Sequence, residues 1–222
     1  MAKSGLKENT KSLPRKERER QARRLEIVRA ARSVFAEKGF DKATLEEIAE
    51  RAEFGKGTVY NYFDSKESLF AAAMDDLFDD VQGIAEAVSQ PKRPVRESFE
   101  VYARQMIEYY HANYAFCRLM MREWVRPDSA DPQAQVSAVC ARIEIVAGPL
   151  ARLLRLAMRR NEIRHGDPQV LASMFIGLVH HCFMHHTMRD PGVSAETLDA
   201  QARTVVSVFF DGIGADPSRR IT

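Results

Sequence analysis

Apolar residues recur at helical spacing along almost the whole of this 222-residue chain. From about Arg18, Ile27, Ala31, Val34 and Phe35 fall at i, i+4, i+7 and i+8 on one helical face, and Gly39 is placed to stop that helix. Thr44-Leu-Glu-Glu47 reads as a T-x-x-E capping box opening a short helix with Leu45, Ile48 and Ala49 inward, which runs out near Ala52. A glycine turn at Gly55 leads into a third helix over about 56–63, and Asp64-Ser-Lys-Glu67 reads as a second capping box, starting a longer helix through Leu69, Ala73 and Leu77. Pro91 and Pro94 then interrupt the chain. Beyond them the spacing predicts helices at about 95–113, 115–126, 132–162, 168–189 and 195–213, with breaks at Pro127 to Pro132, His165 to Pro168 and Asp190 to Gly192. No strand alternation and no internal repeat is found, so the expected class is all-α, with a helix-turn-helix arrangement near the N-terminus.

Composition narrows the class. With 45% hydrophobic and 29% charged residues the chain is globular. No apolar run approaches the ~18 residues needed to span a bilayer, and no apolar segment follows the N-terminal lysines, so neither a membrane partner nor a secretion signal is expected. Cys117, Cys140 and Cys182 are widely spaced, odd in number and without a CxxC pair, which suits a reducing cytoplasm. The net charge of +2 is unevenly spread: residues 1–38 hold twelve Lys and Arg against five Glu, leaving the remainder mildly acidic. A basic arm over 1–17, without fixed structure, ahead of an acidic body points to a polyanion at one end. No paired acid and base, nucleophile motif, phosphate-binding loop or cofactor motif is found, so an enzyme is not expected.

The third helix is odd in composition: "FGKGTVYNYF", Phe54 to Phe63, has too little aliphatic surface for a core and too little charge for a solvent face. It suits a helix entering a DNA groove. Gly55 and Gly57 permit close approach, and Lys56, Thr58 and Asn61 can address base edges. Tyr60 and Tyr62 can reach phosphates, while Val59 and Phe63, four apart, anchor the inner face. Thr44 begins a helix whose free amides can face a phosphate, and Lys66 can clamp a second one.

The run "AARSVFAEKGFDKATLEEIAERAEFGKGTVYNYFDSKESLF" resembles the DNA-binding domain of TetR-family transcriptional regulators. The likeness lies in the A-x-x-x-F-x-x-x-G-F end of the first helix, the T-x-x-x-I-A start of the second and the G-x-G-T-x-Y-x-Y-F-x-S-K-x-x-L signature, and covers about residues 20–75. The resemblance implies phosphate contacts from Thr44, Tyr60 and Lys66, with Lys56, Thr58, Asn61 and Tyr62 nearest the bases. Gly57 departs from members that carry a side chain there. The run "RRNEIRHGDPQVLASMFIGLV" resembles the family's entry into its penultimate helix. The plan it implies is a DNA-binding domain over 18–65, a connecting helix over 66–90, and an effector-binding and dimerisation domain over 91–222. In that plan the last two helices form a four-helix dimer interface, and a near-palindromic duplex is bound by a homodimer, most often as a repressor.

The helix from Val170 to Met184 is apolar almost all round, so a partner subunit is expected to cover what its own domain does not. Met174, Leu178, His181, Cys182 and His185, with Val205, Val206, Phe209 and Ile213 of the last helix, are the candidate interface. Phe99, Tyr102, Met106, Tyr109, Tyr110, Phe116, Met120, Trp124, Phe175 and Val179 are candidate lining for a lipophilic or aromatic effector, because soft and aromatic walls adapt to such guests. Arg118, Arg122 and His111 are candidates to meet an acidic head group. In "HHCFMHHTM", four of the six histidines fall within seven residues; His181 with His185, and Cys182 with His186, share faces at metal-ligand spacing. One helix supplies only two ligands per face, so a metal- or redox-responsive regulator stands beside the reading in which these side chains line the dimer seam.

Overall fold

The computed structural model describes residues 14–89, 93–124, 132–187 and 195–213; the side chains of Trp124, His186 and Ile213 lie outside the described residues, as do 1–13 of the basic arm, Pro91 and the breaks within 125–131 and 188–194. All regular structure among the described residues is helical, in nine helices. These are α1 (Arg15–Lys42), α2 (Leu45–Arg51), α3 (Lys56–Tyr60), α4 (Lys66–Val88), α5 (Val95–Ala112), α6 (Tyr114–Trp124), α7 (Pro132–Arg159), α8 (Pro168–Thr187) and α9 (Ala195–Ile213). No helix of the described residues is long and apolar enough to cross a membrane.

The described residues fall into two compact units. One comprises 14–80 with 113–136, the other 81–112 with 137–213, so α4 contributes to both and α6 returns to the first. Rings explain that return. Phe70 of α4 lies 5.1 Å edge-on from Phe35 of α1 and 6.0 Å from Phe116 of α6, and Arg32 of α1 stacks 5.7 Å over Phe116. The Arg32 guanidinium also donates to Asp76 (2.6 Å), Asp80 (3.0 Å) and the Asn113 side chain (2.9 Å). Ile27, Phe35, Ile48, Val59 and Leu69 are wholly buried and form this unit's core.

Two helix ends differ from the sequence expectation. Gly39 does break α1, with φ 77° and ψ 171°, a conformation that a side chain would strain. The box opening α4, however, is formed by Ser65 and Ser68 rather than Asp64 and Glu67. The Ser68 amide donates to Ser65 Oγ (3.1 Å) and the Ser65 amide to Ser68 Oγ (3.3 Å). A short serine hydroxyl directly before the first helical residue is placed to take the first-turn amide.

In the second unit, Phe99 of α5 meets Phe175 of α8 at 4.7 Å and Phe210 of α9 at 5.2 Å, while Tyr110 stacks on Phe183 at 5.1 Å. α8 turns Ala172, Phe175, Val179 and Phe183 into this core, and α9 turns in Ala202, Val206, Phe209 and Phe210. α7 ends on Asn161 (φ 56°), with the Glu162 amide reaching back to the Ala157 carbonyl at 3.0 Å.

Candidate nucleic-acid interface

The first two helices are locked together before α3 is placed. Glu37 of α1 accepts from both terminal guanidinium nitrogens of Arg51, at 2.7 and 2.8 Å, and that pairing holds its carboxyl down at about 2. Lys38 donates to Glu47 at 2.6 Å. Glu47 also completes the capping box, since Thr44 N donates to Glu47 Oε2 (3.2 Å) and Glu47 N to Thr44 Oγ1 (3.3 Å). The exposed Thr44 hydroxyl therefore accepts inward and keeps its own proton for an outside acceptor.

The turn between α2 and α3 closes in a way the sequence did not advertise. Glu53, not a glycine, takes the left-handed conformation at φ 58°, and the Phe54 amide returns to the Ala49 carbonyl at 2.9 Å. Gly55 has ordinary extended angles, φ −64° and ψ 145°, and a Cβ built there would meet nothing within 4 Å. A Cβ at Gly57, inside α3, would likewise meet nothing within 4 Å. Gly55 is the N-cap of α3, where glycine is accepted, whereas Gly57 is required neither by the turn nor by packing within the chain.

α3 itself is short, Lys56–Tyr60, and continues as turns to Phe63 through amides from Asn61, Tyr62 and Phe63 that all reach back within a turn. Val59 and Phe63 are buried, and Arg24 of α1 covers the Phe63 ring at 5.0 Å. Lys56, Gly57, Tyr60 and Asn61 consequently face out, Tyr60 with 44% of its surface exposed, while Thr58 and Tyr62 are half-buried. Lys56 pairs with Glu46 of α2, which raises its pKa, and its ammonium lies 5.7 Å from the Tyr60 ring centroid. Exposed pairs of this kind are weak, so a phosphate or base acceptor can displace Glu46.

Lys66 points elsewhere. Its ammonium donates to the Asp41 (3.1 Å) and Ala43 (3.2 Å) carbonyls and sits 4.7 Å over the Phe40 ring. It staples the α1–α2 connection directly before Thr44, and retains one donor for an outside partner. Sequence reasoning singled out neither Glu46 nor Glu53 nor Arg24. Each acts through a neighbour brought close only by the fold, and no spacing signal marks it.

The remaining expected sites divide between the units. Phe116 and Met120 are buried in the first; Phe99, Tyr102, Met106, Tyr110, Phe175 and Val179 are buried in the second, with Tyr109 half-buried. Arg118 and Arg122 are exposed in the first unit and His111 is half-buried in the second. Of the expected interface residues, Met174, Leu178, His181 and His185 are exposed on the outer face of α8, and Cys182 is half-buried. Val205 is buried, as are Val206 and Phe209, whose contacts are with the chain's own core: Phe209 lies 5.0 Å from Phe175. Val208, which the sequence did not single out, is 62% exposed. Leu178, His181, Cys182, His185, Thr204, Val205 and Val208 line a groove of about 270 Å³. There the His181 and His185 rings stack 6.2 Å apart. Among the described residues no group of three or more His, Cys, Asp or Glu is gathered closely enough to hold a metal ion.

Residues 27–73, which contain the capping box, the turn and α3, match the family described as "Bacterial regulatory proteins, tetR family". The HTH-type transcriptional regulator YfiR of Bacillus subtilis (strain 168) is 38% identical over 58 residues, 26% of this chain and 28% of that protein. The chain spans only 28%, 38% and 30% of the first three curated relatives it matches, so the sequence likeness is local. The fold likeness is not. A TetR-family transcriptional regulator structure from Mesorhizobium loti MAFF303099 superposes with a TM-score of 0.71 at 24% identity, over 88% of this chain and 98% of that one. The transcriptional regulator FadR from Bacillus subtilis, in complex with stearoyl-CoA, does so with a TM-score of 0.70 at 19% identity, over 85% and 98%. These relatives are transcriptional regulators, not enzymes.

Proposed function

We propose that this chain, which belongs to the tetR family of bacterial regulatory proteins, is a homodimeric, ligand-responsive repressor that binds a near-palindromic duplex and is released from it by a lipophilic or aromatic small molecule. The observation that carries the DNA reading is Gly57 on the outer side of α3. With open space around it, this position gains nothing from glycine inside the molecule and costs helix stability. The demand for a bare backbone comes from outside, and a groove entered closely is what makes that demand. In this reading Lys56, Thr58, Asn61 and Tyr62 lie nearest the bases, with Gly57 as the point of closest approach. Thr44, Tyr60 and the remaining donor of Lys66 meet phosphates. The site of action is the bacterial cytoplasm.

Dimerisation follows from the outer face of α8. Val170, Met174 and Leu178 with Val208 of α9 are large apolar side chains left in water, and they continue into the groove lined by His181, Cys182, His185 and Val205. A second copy related by a twofold axis covers such a stripe most simply. It sets two α3 helices about one DNA turn, ~34–36 Å, apart. The effector half rests on the buried rings and methionine of α5 and α8, and on the fatty acyl ligand of the FadR structure similar in fold. An effector acts only by binding the DNA-incompetent conformation better.

The test is binding to random and selected duplexes across salt, together with sedimentation of the free protein. Affinity is expected to fall with a log–log slope near −0.9 per phosphate contacted, and the free protein to sediment as a dimer. A stable monomer whose weak duplex binding is flat in salt overturns the proposal.

A further inference from the structure

The outer face of α8 carries one row of exposed side chains at helical spacing. Val170, Met174, Leu178, His181 and His185 follow one another at steps of four, four, three and four residues. The apolar part of this row is the stripe that a second copy covers in the dimer proposed above, and its last part brings two imidazoles under the same cover. The turn of α8 sorts the histidines. His180 is half-buried, its ring 5.5 Å from that of Tyr110, whereas His181 and His185 are exposed and stack 6.2 Å apart. Both line the groove of about 270 Å³ between α8 and α9. Its other walls are aliphatic, from Leu178, Val205 and Val208, apart from half-buried Cys182 and Thr204, whose hydroxyl donates to the Ala200 carbonyl of its own helix at 2.9 Å.

A second copy laid over this groove takes water from two imidazoles of each subunit at once, and aliphatic walls return nothing to a ring nitrogen. A transition-metal ion does. Two imidazoles at i and i+4 on one helix make a bidentate pair, and a twofold axis doubles the pair to the four nitrogen ligands of a tetrahedral site. One copy cannot make the site alone, since among the described residues no group of three or more His, Cys, Asp or Glu within the chain could hold a metal ion. Coordination asks the stacked rings to turn a nitrogen each into the groove, a rotamer change that exposed side chains make quickly. Neutral imidazoles do not offset the charge of the ion, but the helix end does. α8 ends at Thr187, so His185 lies in its last turn, where free carbonyls carry roughly half a negative charge, and two copies bring two such ends. Among the described lining residues there is no carboxylate, which disfavours Mg²⁺ and Ca²⁺, ions that ask for oxygen.

We propose that a divalent transition-metal ion of the nickel-to-zinc group binds across the twofold axis of the dimer, held by His181 and His185 of both copies, and ties the two subunits together. This rests on the dimer read from the same face and gives that face a second ligand. Tag-free, full-length protein stripped with a chelator is titrated with zinc sulfate and with magnesium chloride by calorimetry, and sedimentation across dilution gives the subunit Kd with and without zinc. One zinc per two chains is expected, with no magnesium bound and the subunit Kd lowered by roughly tenfold or more. His181→Ala and His185→Ala, both at exposed positions, should keep the metal-free melting temperature, lose about tenfold or more in zinc affinity and abolish the zinc effect on the subunit Kd. His165→Ala, at an exposed histidine ahead of α8, should change neither. Cobalt-loaded wild-type protein supplies a check that needs no variant, the expected spectrum being tetrahedral without a thiolate-to-metal band. One zinc per chain with an unchanged subunit Kd, zinc affinity untouched by either substitution, an equal loss in His165→Ala, or a thiolate band overturns the site. A dimer that binds no zinc overturns the site and leaves the dimer standing, whereas a protein that stays monomeric with zinc present overturns both.

Discussion

Replacing Gly57 by leucine separates what the protein asks of that position from what DNA asks. A Cβ at Gly57 meets nothing within 4 Å, and φ there is not positive, so the folded chain can take the side chain. Leucine exceeds glycine in helix propensity by roughly 0.8 kcal/mol in a helix interior; the second residue of a five-residue helix realises about half of that. At about 2–4 °C per kcal/mol for a chain of this size, Gly57→Leu should raise the melting temperature by about 1–2 °C. On DNA the sign reverses. An isobutyl group where the backbone must approach costs at least one base contact, about 1–3 kcal/mol per head. Because a dimer carries the change twice, the loss is at least about 2 kcal/mol, or roughly 30-fold in Kd. Fluorescence anisotropy with a duplex that the wild type selects from a random library gives the affinity, and calorimetry gives the melting temperature. Unchanged affinity in a folded variant refutes the close approach. A melting temperature lowered by several degrees refutes the premise that the fold has no use for this glycine.

Asn61→Ala should relax preference at particular bases at a cost of roughly 1–3 kcal/mol, whereas Tyr60→Phe should weaken all duplexes alike; a uniform loss for Asn61→Ala across a randomised library would remove its base-reading role. Lys66→Met cuts two charge-assisted hydrogen bonds to the Asp41 and Ala43 carbonyls and should lower stability by about 1.5–3 kcal/mol in urea unfolding. If Lys66 also meets a phosphate, the salt slope should shrink by about 0.9 per head; stability unchanged with a shrunken slope would mean it serves DNA alone. The folded His180 has a pKa below its unfolded value of about 6.5, because burial disfavours the charged ring. The unfolded chain therefore binds the proton first, so the stability His180 contributes is complete above about pH 6.5 and is lost as pH falls through the folded value. His180→Phe should flatten that limb of the melting temperature measured from pH 7.5 to 5, and an identical limb in the variant would rule His180 out as its source.

The helices of the DNA-binding unit were legible because their signals are local. Ile27 to Phe35 show the buried face directly, Thr44 and Glu47 name their own cap three residues apart, and Gly39 takes the one angle that needs it. Gly55 does lie in the turn, but it does not supply the turn's left-handed angle. A glycine in a turn has two explanations, an angle that side chains avoid or a neighbour that must come close, and sequence alone does not separate them. The structure does, by giving the left-handed angle to Glu53 and leaving Gly55 extended with room for a Cβ.

What sequence could not supply is long-range. Arg32 looks like one more exposed cation in a basic segment, yet its partners stand 44, 48 and 81 residues away and its side chain is only 12% exposed. The stripe on α9 is ambiguous in the same manner. Val205, Val206 and Phe209 share a face with a helical period, but period says only that a face is apolar, not whether the chain itself or a second copy covers it. Phe175 and Phe99 cover Phe209, and the side chain left in water is Val208, which lies off the stripe. A buried polar residue is harder still, since Gln105 and Gln201 read as ordinary surface glutamines until packing removes their water. Whether such an atom has a partner becomes visible only when every other partnership has been accounted for.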